Sequence, residues 1–223
     1  VILLSDPRVS AVPVLECAEP LVELGPEFGP AGALVRSGVA DRLAAARAAL
    51  PAGLALRVQE GHRPVAEQRA IIATYAAEVA VAHPGASAAE HERLVSRFVA
   101  PVAVAPHVAG AAVDLTLTRP GGADLDMGTP IDATPEASGG RCYTASREIG
   151  TPARMLREVL GRVLGDAGLV NYPTEWWHWS YGDRYWALMT GAPAARYGPV
   201  AAAGSSVGTA PSVGAAAMSG VDR

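Results

Sequence analysis

The sequence predicts an α+β fold: a single domain with a small antiparallel sheet and helices packed on one side of it. Three observations carry this. The chain has 223 residues, enough for one domain with a sizeable core. Alanine is abundant and apolar residues recur at helical spacing in several stretches. Between these stretches lie short segments with the alternation or the aromatic composition of strands.

Taken in order, residues 1–30 are rich in proline and glycine and read as an extended arm. From Ala33 to Leu50 the residues Leu34, Val35, Val39, Leu43, Ala46 and Leu50 predict an amphipathic helix, ended by Pro51 and Gly53. Leu54, Leu56 and Val58 alternate in a strand over 54–59. Pro64 starts the next helix, which carries Gln68 to about Val81, and His83-Pro-Gly breaks it. Ser87 is the N-cap of another, with Glu90 as its capping-box partner, running to about Phe98. Residues 101–106 are irregular. Ala111 to Thr118 predicts a strand with Asp114, Thr116 and Thr118 on one face and Leu115 and Leu117 on the other. Residues 119–150 form a long loop, of the kind that serves as a lid or pocket wall. A helix from Pro152 to about Ala167 buries Met155, Leu156, Val159, Leu160 and Val163, and Gly168 caps it. Trp176 to Tyr181 has strand propensity. The Ala/Gly/Ser-rich stretch 199–223 reads as a disordered tail behind a domain spanning 1–198.

Composition narrows the partners. A net charge of -4 with no Lys/Arg run argues against nucleic acid or an anionic membrane surface. No apolar stretch reaches the ~20 residues that span a bilayer. Val1 to Arg8 lacks the features of a signal peptide, which places the chain in the cytoplasm. There Cys17 and Cys142 are read as reduced thiols, with a disulfide between them the open alternative.

Chemistry concentrates in two stretches, His107-Val-Ala-Gly-Ala-Ala-Val-Asp114 and Glu175-Trp-Trp-His178. They hold two of the five histidines and two carboxylates. Imidazole nitrogen with carboxylate oxygen suits a catalytic zinc with three protein ligands, and a further carboxylate can serve as general base. Glu175 and His178 are three apart, so Glu175 falls in an irregular entry and His178 in the strand proper. Each stretch alone also reads as a structural histidine beside a carboxylate or within an aromatic core.

Together, His107-x-x-Gly-x-Ala-x-Asp114 and Glu175-Trp-Trp-His178 resemble the zinc D-Ala-D-Ala metallopeptidases, and more closely the VanX-type D-alanyl-D-alanine dipeptidases. Gly61-His-Arg-Pro64, Met127-Gly-Thr-Pro-Ile-Asp132, Asp6-Pro-Arg8 and Glu16-Cys-Ala-Glu-Pro20 add to the resemblance, which covers roughly residues 5–198. It implies the fold shared by these peptidases and the hedgehog signalling domain. It implies one zinc per chain on His107, Asp114 and His178, with Glu175 as the base that moves the proton of the attacking water. Arg63 would face the oxyanion, and Asp132 would hold the ammonium of a small dipeptide substrate. Two departures stand out. Ala105 replaces the serine expected two residues before His107, which predicts a lost contact to the substrate's amino end. His62 replaces tyrosine and Glu60 aspartate beside Arg63. Competing readings are a D,D-carboxypeptidase or endopeptidase acting on peptidoglycan stem peptides, and a non-catalytic zinc-stabilised binding module. Glu175 together with Arg63 argues against the last, because holding zinc needs neither.

Overall fold

The computed structural model describes residues 1–200. In chain order the elements are α1 (Pro7–Ala11), β1 (Leu21–Glu23), β2 (Leu34–Arg36), α2 (Ser37–Ala48), β3 (Ala55–Glu60), α3 (Val65–Ala82) and α4 (Ala88–Val95). They continue with β4 (Ala112–Thr118), α5 (Pro135–Ser138), α6 (Thr151–Asp166), β5 (Val170–Asn171), β6 (His178–Ser180) and α7 (Arg184–Thr190). This is the α+β arrangement expected.

The main sheet has the order β3-β4-β6-β5, antiparallel throughout. β4 is its centre and is buried along its whole length. Strand pleating sends Val113, Leu115 and Leu117 to one face, with Leu56, Val58 and Trp179. There they meet Leu43 and Ala46 of α2 and Leu160, Val163 and Leu164 of α6 in one apolar core. The opposite face carries Asp114 and, directly opposite it across the pair, His178. A bulge in β3 between Val58 and Glu60 matters here. Regular pairing would set Gln59 opposite Asp114; the extra residue sets Glu60 there instead, on the polar face.

α3 and α4 form a hairpin with its own small core of Tyr75, Val79, Leu94, Val95 and Val99. The Ser87 hydroxyl accepts from the Glu90 N–H at 3.2 Å, the N-cap expected from the sequence. Glu136 joins this hairpin to the long loop by accepting from the Tyr75 hydroxyl at 2.7 Å and pairing with Arg97. The loop over 119–150 contains only the one-turn α5. It is pinned from beneath by Arg157 of α6, which donates to the carbonyls of Met127, Tyr143 and Arg141. Burial without a carboxylate partner pushes the Arg157 guanidinium down to about 10.

Several expectations change. The predicted helix over 33–50 starts only at Ser37, because 34–36 pair with β1 as a two-stranded ribbon. The N-terminal arm is not uniformly extended: Asp6 caps the short α1 by accepting from the Arg8 N–H. Met155 is exposed, and the buried face of α6 carries Ala153, Arg157 and Leu164 beside Leu160 and Val163. α7 follows Asp183, whose side chain accepts from the N–H groups of Tyr185 and Trp186. His91 is half-buried and bonds the Ala76 carbonyl at 2.9 Å, which ties α4 to α3. The expected tail over 199–223 lies, past residue 200, outside the described residues.

Candidate functional site

His107 opens a one-turn 3-10 segment, His107–Ala109, that Gly110 ends at φ +66°, a left-handed value suited to glycine. Its Nδ1 lies 2.7 Å from the Gly61 carbonyl oxygen. A carbonyl can only accept, so Nδ1 carries the hydrogen and Nε2 turns its lone pair to the sheet. The Arg63 N–H donates to the His107 carbonyl at 3.1 Å, locking the 61–63 segment and the turn together. Gly61 must be glycine for a steric reason: a Cβ there would collide with the Leu34 carbonyl oxygen.

His178 arrives from the other side of β4. Its Nδ1 is 3.0 Å from His107 Nε2 and 3.1 Å from Asp114 Oδ1, and the His107 Nε2 to Asp114 Oδ1 distance is 3.3 Å. A tetrahedral zinc with bonds of ~2.0–2.1 Å spaces its ligand atoms by about 3.3 Å. The three atoms therefore sit at the separations of three corners of such a site, and the donor set is the N/O mixture zinc takes. All three residues are buried.

Glu175 stands just before β6, in the turn 172–178. The Asn171 amide shapes that turn by donating to the carbonyls of Glu175 and His178, 2.9 Å each. Glu175 Oε2 is 3.9 Å from His178 Nδ1, beyond a ligand position, and Oε1 is buried with no hydrogen-bond partner among the described residues. Arg63, on the neighbouring segment, gives both Nε and Nη2 to the two oxygens of Glu60 at 2.6 and 2.5 Å. Its Nη1 donates to Gln68 Oε1 at 2.8 Å. Asp132 adopts φ +62°, a left-handed turn conformation that aspartate tolerates better than most residues.

All six residues singled out by the sequence (His107, Asp114, His178, Glu175, Arg63 and Asp132) line one cleft of about 410 Å³. An apolar wall of Ile71, Phe98, Val99, Ala100 and Ile131 faces them. Leu4 of the N-terminal arm and Tyr172 also line the cleft. The Tyr172 hydroxyl accepts from the Leu4 N–H at 3.2 Å and donates to the Ser96 carbonyl at 2.5 Å. Sequence reasoning missed Leu4, Gln68, Tyr172 and the 98–100 wall; they come from separate elements and carry no motif of their own. Two residues beside the motifs do not face the cleft. His62 is half-buried outside its lining. Ala105 packs with Leu4, Val104, Val108 and Tyr172 in an apolar cluster, so a hydroxyl at that position would be buried among carbon atoms.

Charge in the cleft is lopsided. Glu60, Glu67, Asp114, Asp132 and Glu175 line it, against Arg63 as the permanent cation. Burial raises the Glu175 carboxyl well above its ordinary value, and the charges of Asp114 and Asp132 raise it further. Burial, with Asp114 and Glu60, pushes Asp132 up to about 6. Burial also opposes the charge on Asp114, yet the adjoining His107 and His178 outweigh it and hold that carboxyl well below the usual range. His107 is raised because Asp114 outweighs burial, whereas burial dominates at His178 and lowers it. A divalent cation between the three residues would offset this negative excess and hold both imidazoles neutral. The buried, unpartnered Glu175 Oε1 and the ligand spacing both fit such an ion.

The fold and this cleft define a class: an α+β domain with a buried His/Asp/His cluster spaced to hold a metal ion and a carboxylate beside it. The family model described as peptidase M15, D-ala-D-ala dipeptidase, matches residues 30–191, and the chain belongs to that family. It is thus a peptidase. A D-alanyl-D-alanine dipeptidase of Synechocystis sp. is 28% identical over 217 residues, covering 79% of this chain and 87% of that protein. Among solved structures, a mutant of the vancomycin resistance D,D-pentapeptidase VanY in complex with Zn(II) matches at 20% identity, with a TM-score of 0.43 over 73% of this chain and 78% of that one. VanYB in complex with D-alanine-D-alanine matches at 20% identity, with a TM-score of 0.44 over 75% and 79% of the two chains.

Proposed function

We propose that this protein hydrolyses the peptide bond of D-alanyl-D-alanine, or of a closely related dipeptide, with one zinc held by His107, Asp114 and His178. The convergence of His107 Nε2, Asp114 Oδ1 and His178 Nδ1 within 3.0–3.3 Å of one another carries this reading. Zinc in that position supplies Lewis acidity, polarising the scissile carbonyl and acidifying the attacking water. Glu175 is the base: its unpartnered oxygen takes the proton of that water and passes it to the leaving amine. Arg63, braced by Glu60 and Gln68, presents a fixed positive charge to the oxyanion of the tetrahedral intermediate. Asp132 accepts from the ammonium of the dipeptide. The apolar wall over Phe98 to Ala100 keeps bulk water from the reacting atoms.

A cleft of about 410 Å³ with an acidic lining suits a small ligand with a free amine, which favours a dipeptidase over an enzyme acting on long stem peptides. We assign the catalytic unit to residues 1–198. Cys17 is exposed and Cys142 buried, both free, which suits a reducing compartment such as the cytoplasm. Among the described residues no helix is long and apolar enough to cross a membrane. The test is to incubate the zinc-loaded protein with D,D-, L,D- and L,L-dipeptides and with a D-Ala-D-Ala-terminated pentapeptide. Turnover confined to D,D-dipeptides is expected. Preference for the pentapeptide would replace this reading with a carboxypeptidase, and no turnover of any peptide would leave only a zinc-binding module.

A further inference from the structure

Gln68 stands one helical turn into α3 and is almost wholly buried, at 1% exposure. A primary amide so placed must find partners for both of its ends. Its Oε1 accepts from Arg63 Nη1 at 2.8 Å, and its Nε2 donates to the Ala100 carbonyl at 2.8 Å. These bonds also settle which end of the amide is which, since a guanidinium only donates and a carbonyl only accepts. Ala100 ends the Phe98–Ala100 wall of the cleft. One buried side chain therefore ties the cation of the site to the backbone of the apolar wall.

The geometry around Arg63 gives that span its consequence. Glu60 grips Nε and Nη2 from one edge of the guanidinium, which fixes the plane but leaves Nη1 at the other edge. Gln68 holds that remaining edge. Glu60 is an anion and neutralises part of the charge it orients, whereas the Gln68 amide orients without neutralising. A neutral acceptor at Nη1 keeps the guanidinium available to a developing oxyanion.

We propose that Gln68 is a positioning residue for the reaction: it fixes Arg63 relative to the Ala100 wall, so that the guanidinium meets the oxyanion without reorganising. This rests on the oxyanion role given to Arg63 above. Gln68 touches no reacting atom and acts through Arg63.

The experiment is a double-mutant cycle on the zinc-loaded protein with D-Ala-D-Ala, using Gln68→Leu, Arg63→Ala and the pair, with zinc content and thermal unfolding recorded for each. Gln68→Leu keeps the volume and removes both bonds. It is expected to lower kcat about tenfold, at the low end of what losing a hydrogen bond to a charged group costs, with KM within about twofold and zinc unchanged. Added to Arg63→Ala, it is expected to cost nothing further, because its target is gone. Gln68→Glu keeps an acceptor for Arg63 but places a second carboxylate on the guanidinium and loses the donor to Ala100. By neutralising the guanidinium it is expected to lower kcat at least as far as Gln68→Leu with zinc unchanged, and it serves as the second probe should the leucine variant fail to fold. Independent effects in the cycle, or a glutamate variant that keeps the parent kcat, would overturn the positioning role. Arg63→Ala with unchanged kcat would instead overturn the reading of Arg63, a result the cycle separates from the first.

Discussion

Replacing Glu175 with glutamine tests the proposed chemistry most directly. Glutamine has the volume of glutamate, so this buried position gains no cavity. Glu175 Oε2 lies 3.9 Å from His178 Nδ1, so the three proposed zinc ligands are left in place and metal content should stay at one per chain. Only proton acceptance is lost. The other carboxylates of the cleft are engaged: Glu60 is gripped on both oxygens by Arg63, Asp114 is shared between the two histidines, and Asp132 is proposed to hold the substrate ammonium. Removing a general base costs on the order of 10²–10⁴ in rate, or ~2.7–5.4 kcal/mol of barrier at about 1.36 kcal/mol per decade. With no substitute at hand the loss should fall toward the upper end of that range. The assay is release of free D-alanine under saturating D-Ala-D-Ala, paired with elemental analysis of the same sample. A variant that retains zinc and a third or more of its turnover would refute the assignment of the base. Loss of zinc from the variant would show instead that Glu175 is a ligand.

Three further outcomes follow from particular contacts. His178→Ala should empty the metal site, since it leaves two ligands, and elemental analysis after dialysis should find the zinc gone along with turnover. Glu19→Gln probes the tether of the N-terminal arm. Burial opposes the Glu19 charge, but hydrogen bonds from Tyr197, Arg196 and the Gly38 N–H prevail and hold it at about 2, against an ordinary value of 4.5. A depressed carboxyl stabilises the fold above pH 4.5 and loses that contribution as pH falls toward 2. The glutamine variant should therefore melt lower at neutral pH and show a shallower loss between pH 4.5 and 2; parallel melting curves for the two proteins would contradict this. Ala105→Ser should leave D-Ala-D-Ala kinetics unchanged and lower stability by ~1–3 kcal/mol, because the hydroxyl enters an apolar cluster. A fall in KM would restore the contact that the sequence led one to expect there.

Local patterning was enough to determine the elements that hold the ligands. The alternation in 111–118 assigned Asp114 to the polar face of a buried strand, and β4 obeys it. The three-residue spacing of Glu175 and His178 placed Glu175 in an irregular entry and His178 in the strand proper, and the turn before β6 agrees. Ser87 announced its own helix by a hydrogen bond that spans only three residues. Such features depend on neighbours in the chain, which is why they can be read from it. The arrangement around them depends on partners far away in sequence. Residues 34–36 follow a helical period but become a strand because β1 offers unpaired backbone groups. Glu60 reaches the site because a bulge shifts β3 by one residue against β4, and no composition signals that. Arg157 looks like a surface residue of an amphipathic helix, yet three loop carbonyls 14 to 30 residues away draw it into the interior. Gln68 is an unremarked polar residue in the sequence and, in the fold, a buried tie between Arg63 and the Ala100 carbonyl. The sequence thus determined which groups are the candidates for chemistry; long-range hydrogen bonds and strand register decided what holds them in place, because those energies exist only once distant segments are packed together.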